Sequence, residues 1–198
     1  MDHADHVRLL RDGVVAAASV VANLSPSTVR QGLDEIVVWA DLGAGAGAFT
    51  LALAELLPAG AVIHAVDRDR GALAELERSY ARFARRRAVA RVTTQVGDFT
   101  GHLDLHDLDG VVMANSLHFV KEKDPVLASV RAMLRPGGRL LLVEYDTDRG
   151  NTWVPHPLSY ESWRTLAFKN GFGEAELLAT HPSRFLRQIY SASCTRLV

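Results

Sequence analysis

The segment VVWADLGAGAGAFT, residues 37–50, constrains this chain more than any other. An apolar run passes through one acid, Asp41, into glycines at 43, 45 and 47, and then into an apolar helical pattern. That order predicts a strand, a tight turn and a helix. Glycines there let backbone N–H groups and a helix N-terminus approach a ligand, because a Cβ would obstruct them. The turn therefore predicts a nucleotide-like ligand. A tight turn that holds nothing is the alternative, and a lone glycine pattern does not separate the two.

The rest of the chain repeats this alternation. Residues 35–42, 61–67, 91–96, 109–115 and 138–145 are β-rich, and most are nearly continuous apolar runs, as expected of strands covered on both faces. Between them, Phe49, Leu53, Leu56 and Leu57 mark one helical face, and Leu73, Leu76, Tyr80 and Phe83 another. A third helix starts at Lys123-Asp124-Pro125-Val126, with Asp124 placed to cap it, and ends before Arg135-Pro136-Gly137-Gly138. Strands alternating with helices predict an α/β fold with a mainly parallel sheet. Residues 1–35 predict two or three short helices covering it, one starting at Ser25-Pro26. Beyond residue 150, a helix near 159–170 and strand-like runs at 174–180 and 186–196 complete the pattern, the last two as a hairpin. At 198 residues, without a repeat or a linker, a single domain is the simplest organisation.

Several ligand classes fall away. No Lys-Ser or Lys-Thr follows the glycines, so the loop is not a phosphate-gripping P-loop. Gly43, Gly45 and Ala48 do satisfy a loose dinucleotide pattern, with Asp67 at a strand end downstream. Against that reading, Asp41 would repel a pyrophosphate but attract an ammonium. A second acid, Asp98, closes the third strand run, where the carboxyl ends of parallel strands line the ligand crevice. The balance of 22 basic against 23 acidic residues provides no global attraction to nucleic acid or an acidic membrane. One cysteine, Cys194, fits a reducing, cytoplasmic setting, and the charged amino terminus does not read as a signal peptide.

In this order and spacing, Asp41–Gly47, Val66–Asp69, Gly97–Phe99, Ala114–Val120 and Leu134–Tyr145 resemble the motif series of class I S-adenosylmethionine-dependent methyltransferases. The resemblance implies a Rossmann-like, doubly wound, mostly parallel seven-stranded sheet with an antiparallel C-terminal hairpin and an N-terminal helical cover. It divides the domain into a cover (1–35), a cofactor-binding core (36–146) and a substrate-side helix and hairpin (147–198). S-adenosylmethionine is the implied cofactor, and a small molecule the implied methyl acceptor. Gly43, Ala44, Gly45 and Gly47 would form the loop against the methionyl and ribose parts, with Asp41 near the amino group or fixing the loop. Asp67 would accept from the ribose hydroxyls and Asp98 from the adenine amine. Phe99 and Arg68 would pack beside the adenine, and Asn115 would lie beneath the methionyl group. An NAD-type oxidoreductase and a non-catalytic cofactor-binding protein remain the rival readings.

Methyl transfer from a sulfonium needs alignment and exclusion of water, and a base only when the acceptor carries a proton. His118 is the first candidate for that base, since histidine exchanges protons near neutral pH. Tyr145, with Glu144 and Asp146, ends the fifth strand run and would orient an acceptor. His156, with Trp153 and Tyr160, stands in the following loop, where aromatic groups suit a flat or apolar small molecule. No metal site is assigned: His102 and His106 have helical spacing but sit in a connection without a zinc-protease Glu. The arginine-rich segment 78–91 reads as the solvated end of a helix, and no nucleic-acid partner is expected. Residues 14–34 carry no defined role.

Overall fold

The apolar runs become the central strands, covered on both faces, while the more polar 91–96 run becomes a half-exposed edge strand. The computed structural model describes residues 1–23 and 36–198, with side chains from 1–15 and 36–198. The strands are β1 (Val38–Leu42), β2 (Val62–Asp67), β3 (Arg91–Val96), β4 (Leu108–Ala114), β5 (Leu134–Tyr145), β6 (Glu176–Ser183) and β7 (Arg187–Thr195). The helices are α1 (His3–Asn23), α2 (Ala48–Leu56), α3 (Arg70–Ala84), α4 (Asp124–Met133) and α5 (Tyr160–Lys169), with a 3-10 turn at Leu117–Phe119.

All seven strands form one sheet in the order β3-β2-β1-β4-β5-β7-β6. The first five are parallel, and β7 runs antiparallel to both β5 and β6. This is the expected mostly parallel sheet with its C-terminal hairpin. Successive residues of a strand face opposite layers, and both layers are apolar. Leu140 and Leu142 of β5 join Leu127, Val130 and Trp163 of α4 and α5 on one face. Leu141 and Val143 join Leu10, Phe49 and Leu53 of α1 and α2 on the other. The order reverses between β1 and β4, so the loops leaving those strands diverge and open a crevice at their carboxyl ends.

Three local expectations are corrected. Among the described residues of the N-terminal cover there is one helix of 21 residues through Asn23 rather than several short ones, because Val7, Leu10 and Val14 keep a single buried stripe. The Ser25-Pro26 start signal lies outside the described residues. Asp124 does not cap α4: Lys123 occupies the N-cap, and the Asp124 carboxylate accepts hydrogen bonds from Asn170 and Lys169 instead. Finally, β5 begins at Leu134 rather than 138, because Leu134 pairs with Leu108 before a bulge re-registers Arg139 opposite Gly110.

Candidate active site

The loop after β1 is shaped by contacts below it. Gly43 has φ +84°, and a Cβ there would lie 2.5 Å from Ser116 Cβ in the segment after β4. Gly47 has φ +88°, and its Cβ would strike Leu76 of α3. Both positions therefore need glycine for conformation and for close approach. The loop N–H groups turn inward. Those of Gly43 and Ala44 donate to the Val66 carbonyl at 2.8 and 3.0 Å, and that of Gly47 to Ala44. That of Gly45 donates to Asp67 Oδ2 at 2.7 Å. Donors engaged in this way form no phosphate cradle, which argues against a bound pyrophosphate.

Beneath the loop, Asp41 is 1% exposed; its Oδ2 accepts from Thr50 Oγ1 at 2.6 Å, and its Oδ1 has no partner. Burial pushes its carboxyl up to about 6, against the lowering effect of Thr50. Asn115, beside Ser116, takes the left-handed conformation at φ 52°, and its Oδ1 is also buried without a partner. Of these two residues Asn115 lines the cavity, so its unpartnered Oδ1 calls for a ligand that brings N–H donors there. An ammonium fits that demand.

A cavity of about 480 Å³ opens over the ends of β1 to β4. Gly43, Gly45, Asp67, Arg68, Asp98 and Asn115 line it, and the Phe99 ring closes in to 3.4 Å of the Cβ position of Gly43. Both Asp67 oxygens are fixed, Oδ2 by Gly45 and Oδ1 by the Asp69 N–H at 2.8 Å. Each retains a lone pair for a hydroxyl, so the carboxylate is pre-oriented for a diol. Asp98 Oδ1 accepts from the Thr100 hydroxyl and N–H, and these bonds hold its carboxyl below the usual range. Its Oδ2 remains as an acceptor. Three of the ten expected cofactor residues do not line the cavity: Asp41 lies under the loop, Ala44 packs on Ala65, Leu73 and Leu76, and Gly47 seats α2 against α3.

Beyond the cavity wall formed by Ser116, Phe119 and Val120, the 3-10 turn carries His118, which is buried and does not itself line the cavity, and β5 supplies its partner. His118 Nδ1 lies 2.9 Å from Glu144 Oε2, with side-chain exposures of 4% and 0%. Glu144 Oε1 also accepts the backbone N–H of His118 at 3.1 Å, and Oε2 that of Tyr145 at 3.3 Å. A carboxylate opposite Nδ1 selects the tautomer protonated there and leaves Nε2 able to take a proton. The Tyr145 ring centre is 6.0 Å from that of His118; burial, then the Glu144 charge, pushes the phenol up, so it stays protonated.

His156 joins the site through its backbone. Its N–H donates to the His118 carbonyl at 3.0 Å, and its carbonyl accepts from Lys123 Nζ at 2.9 Å. Tyr160 turns away: its hydroxyl donates to the Ala175 carbonyl and its ring packs edge-on to Tyr190. Sequence reasoning missed Lys123 and Ser116 as site residues and did not pair Glu144 with His118. Only the position of Glu144 at a strand end hinted at its role. Among the described residues no group of three or more His, Cys, Asp or Glu could hold a metal, and no helix is long and apolar enough to cross a membrane.

An open sheet with an acid-rimmed cavity at its switch point, beside a loop whose Gly43, Ala44, Gly45 and Gly47 N–H groups are already engaged, defines a Rossmann-like domain for a cation-bearing nucleoside. The description "Methyltransferase domain" belongs to the family model that matches residues 40–140, and the chain is a member of that family, an S-adenosylmethionine-dependent methyltransferase. The highly reducing polyketide synthase aurA of Calcarisporium arbuscula is 27% identical over 168 residues, covering 73% of this chain and 7% of that protein. The chain thus spans a small fraction of that relative's length. Among solved structures, the CurJ carbon methyltransferase superposes with a TM-score of 0.69 at 18% identity, covering 97% of this chain and 57% of that one. The magnesium protoporphyrin IX methyltransferase of Synechocystis PCC 6803, with bound SAH, superposes at 0.65 and 17% identity, covering 98% and 85%. At these identities the structural likeness establishes the fold.

Proposed function

We propose that this protein methylates a small molecule at an acidic carbon next to a carbonyl, of the kind found in a 3-oxoacyl thioester. The observation that carries this reading is the buried His118–Glu144 pair, which is the equipment of a general base. The polyketide synthase relative and the carbon methyltransferase structure support the choice of carbon acid over other protonated acceptors.

Asn115 would face the cofactor's ammonium, Asp67 its ribose hydroxyls and Asp98 its adenine amine, with Asp41 fixing the loop from beneath. When bound, S-adenosylmethionine supplies a methyl group on a sulfonium, ready for in-line displacement. The protein's part is to generate and hold the nucleophile. His118 Nε2 takes the acceptor's proton, while the charge that develops on the ring is balanced by Glu144. Tyr145, kept protonated, donates a hydrogen bond to the acceptor oxygen on which negative charge accumulates. Residues 1–35, 36–146 and 147–198 then act as cover, cofactor core and acceptor side of one domain.

The test is to incubate the protein with S-adenosylmethionine and acetoacetyl thioester and follow the mass gain of one methyl group at the central carbon. Proton exchange at that carbon in heavy water, with S-adenosylhomocysteine bound, reads the base step separately. His118→Ala should abolish both while retaining cofactor affinity. Full turnover by that variant would remove His118 from the base role.

A further inference from the structure

Four rings run in series beside the cavity. Phe119 stands 4.3 Å from His118 between ring centres, His118 6.0 Å from Tyr145, and Tyr145 5.9 Å from Phe185 on the β6–β7 turn. Phe119 also lines the cofactor cavity, so the series leads from that cavity, past the proton-accepting histidine, to the far hairpin. Its two ends are open: Phe119 is 57% exposed and Phe185 48%. Trp153, on the loop whose His156 is tied to His118, is 74% exposed. Three large aromatic side chains left in water on the three segments around one base are a costly arrangement unless something covers them in use.

We infer that Phe119, Tyr145 and Phe185 form an aromatic track that selects acceptors by their apolar tail, with Phe185 as the residue that reads tail length. This rests on the carbon-acid reading above, since that reading places the reacting carbon at His118. The carbonyl end of the acceptor then sits between Phe119 and Tyr145, and a tail of several carbons continues outward over Tyr145 to the face of Phe185. A two-carbon tail stops short of that ring. Selection by apolar contact grows with each methylene buried and requires no new polar group. Phe185 follows a turn closed by its own N–H to Ser183 Oγ, so its side chain can be changed without disturbing a buried core.

The experiment compares acetoacetyl with 3-oxooctanoyl and 3-oxododecanoyl thioesters, using wild type, Phe185→Ser and Phe185→Leu. Phe168→Ser, on α5 and outside the ring series, controls for general loss of exposed apolar surface. Equilibrium binding with S-adenosylhomocysteine present is measured separately from methyl transfer. Wild type should bind the longer chains at least ~10-fold more tightly than acetoacetyl. Phe185→Ser should lose that preference while binding acetoacetyl and S-adenosylhomocysteine unchanged. Phe185→Leu should keep part of the preference, and Phe168→Ser all of it. Chain-length preference without turnover would refute the base assignment and uphold the track. Equal binding of all chains, no binding of any, or an unchanged preference in Phe185→Ser would each overturn the track.

Discussion

Glu144 holds His118 from two directions, through the ring at Nδ1 and through the backbone N–H of the same residue. The carboxylate thus sets both the tautomer of the imidazole and the position of the turn that carries it. Glu144→Gln keeps the volume and one acceptor oxygen but removes the charge opposite the imidazolium. We expect kcat to fall by ~10²-fold or more, with S-adenosylhomocysteine affinity within about twofold of wild type. Steady-state kinetics with calorimetric titration checks the separation.

Asp67 presents two pre-oriented oxygens to the cavity. Asp67→Ala removes them together with the acceptors for Gly45 and Asp69, so the loss should appear first in cofactor affinity. A charged hydrogen bond contributes ~1.5–3 kcal/mol, which predicts a weakening of ~10–100-fold for the product cofactor. Titration calorimetry reads it, and a thermal melt records whether the fold survives. Unaltered affinity in a folded variant would remove Asp67 from ribose recognition.

Asp41 makes stability depend on pH with an unusual sign. Burial raises its carboxyl from 3.8 to about 6, so between those values the folded chain keeps a proton that the unfolded chain has released. Its contribution to stability is therefore present at low pH and is lost as pH rises from about 4 to about 6, by on the order of 3 kcal/mol. Asp41→Asn should flatten that part of the denaturation profile. A cation bound over the loop favours the ionised form of the acid beneath it, so the gain in Tm from S-adenosylhomocysteine should be larger at about pH 7.5 than at about pH 5.

Lys123 ties two segments together. Its Nζ donates to the Val120 carbonyl, after the His118 turn, at 2.8 Å and to the His156 carbonyl at 2.9 Å. Burial pushes its ammonium down, with the nearby Glu144 charge opposing that shift. Lys123→Met should release the 150–158 loop, raise the acceptor KM by ~10-fold and leave cofactor affinity close to wild type. Hydrogen exchange confined to that loop, with partial rescue by Lys123→Arg, distinguishes positioning from general destabilisation.

Most of the cavity lining was legible because each piece is local. Asp67 ends β2 and Asp98 follows β3, and their place at a crevice results from parallel strands sharing one carboxyl edge. Gly43 and Gly45 could be read in the same way, whereas the packing roles of Ala44 and Gly47 depend on α3, which adjacent residues do not specify. The Asp124 cap failed for a related reason, since Asn170 and Lys169 arrive from another helix.

The acceptor half was not legible in that way. His118 and Glu144 are 26 positions apart and meet only because β4 and β5 pair with Ala114 opposite Val143, placing the following turn against the next residue of β5. Phe185 reaches Tyr145 only because β7 returns antiparallel along β5, with Ile189 opposite Tyr145. The sequence by itself determined the strand and helix alternation, the glycine turn and the acids at strand ends, since those depend on periodicity and backbone sterics over a few residues. Tertiary structure decided which histidine gained a carboxylate and which rings were brought to it, because strand register, not sequence distance, determines which side chains meet.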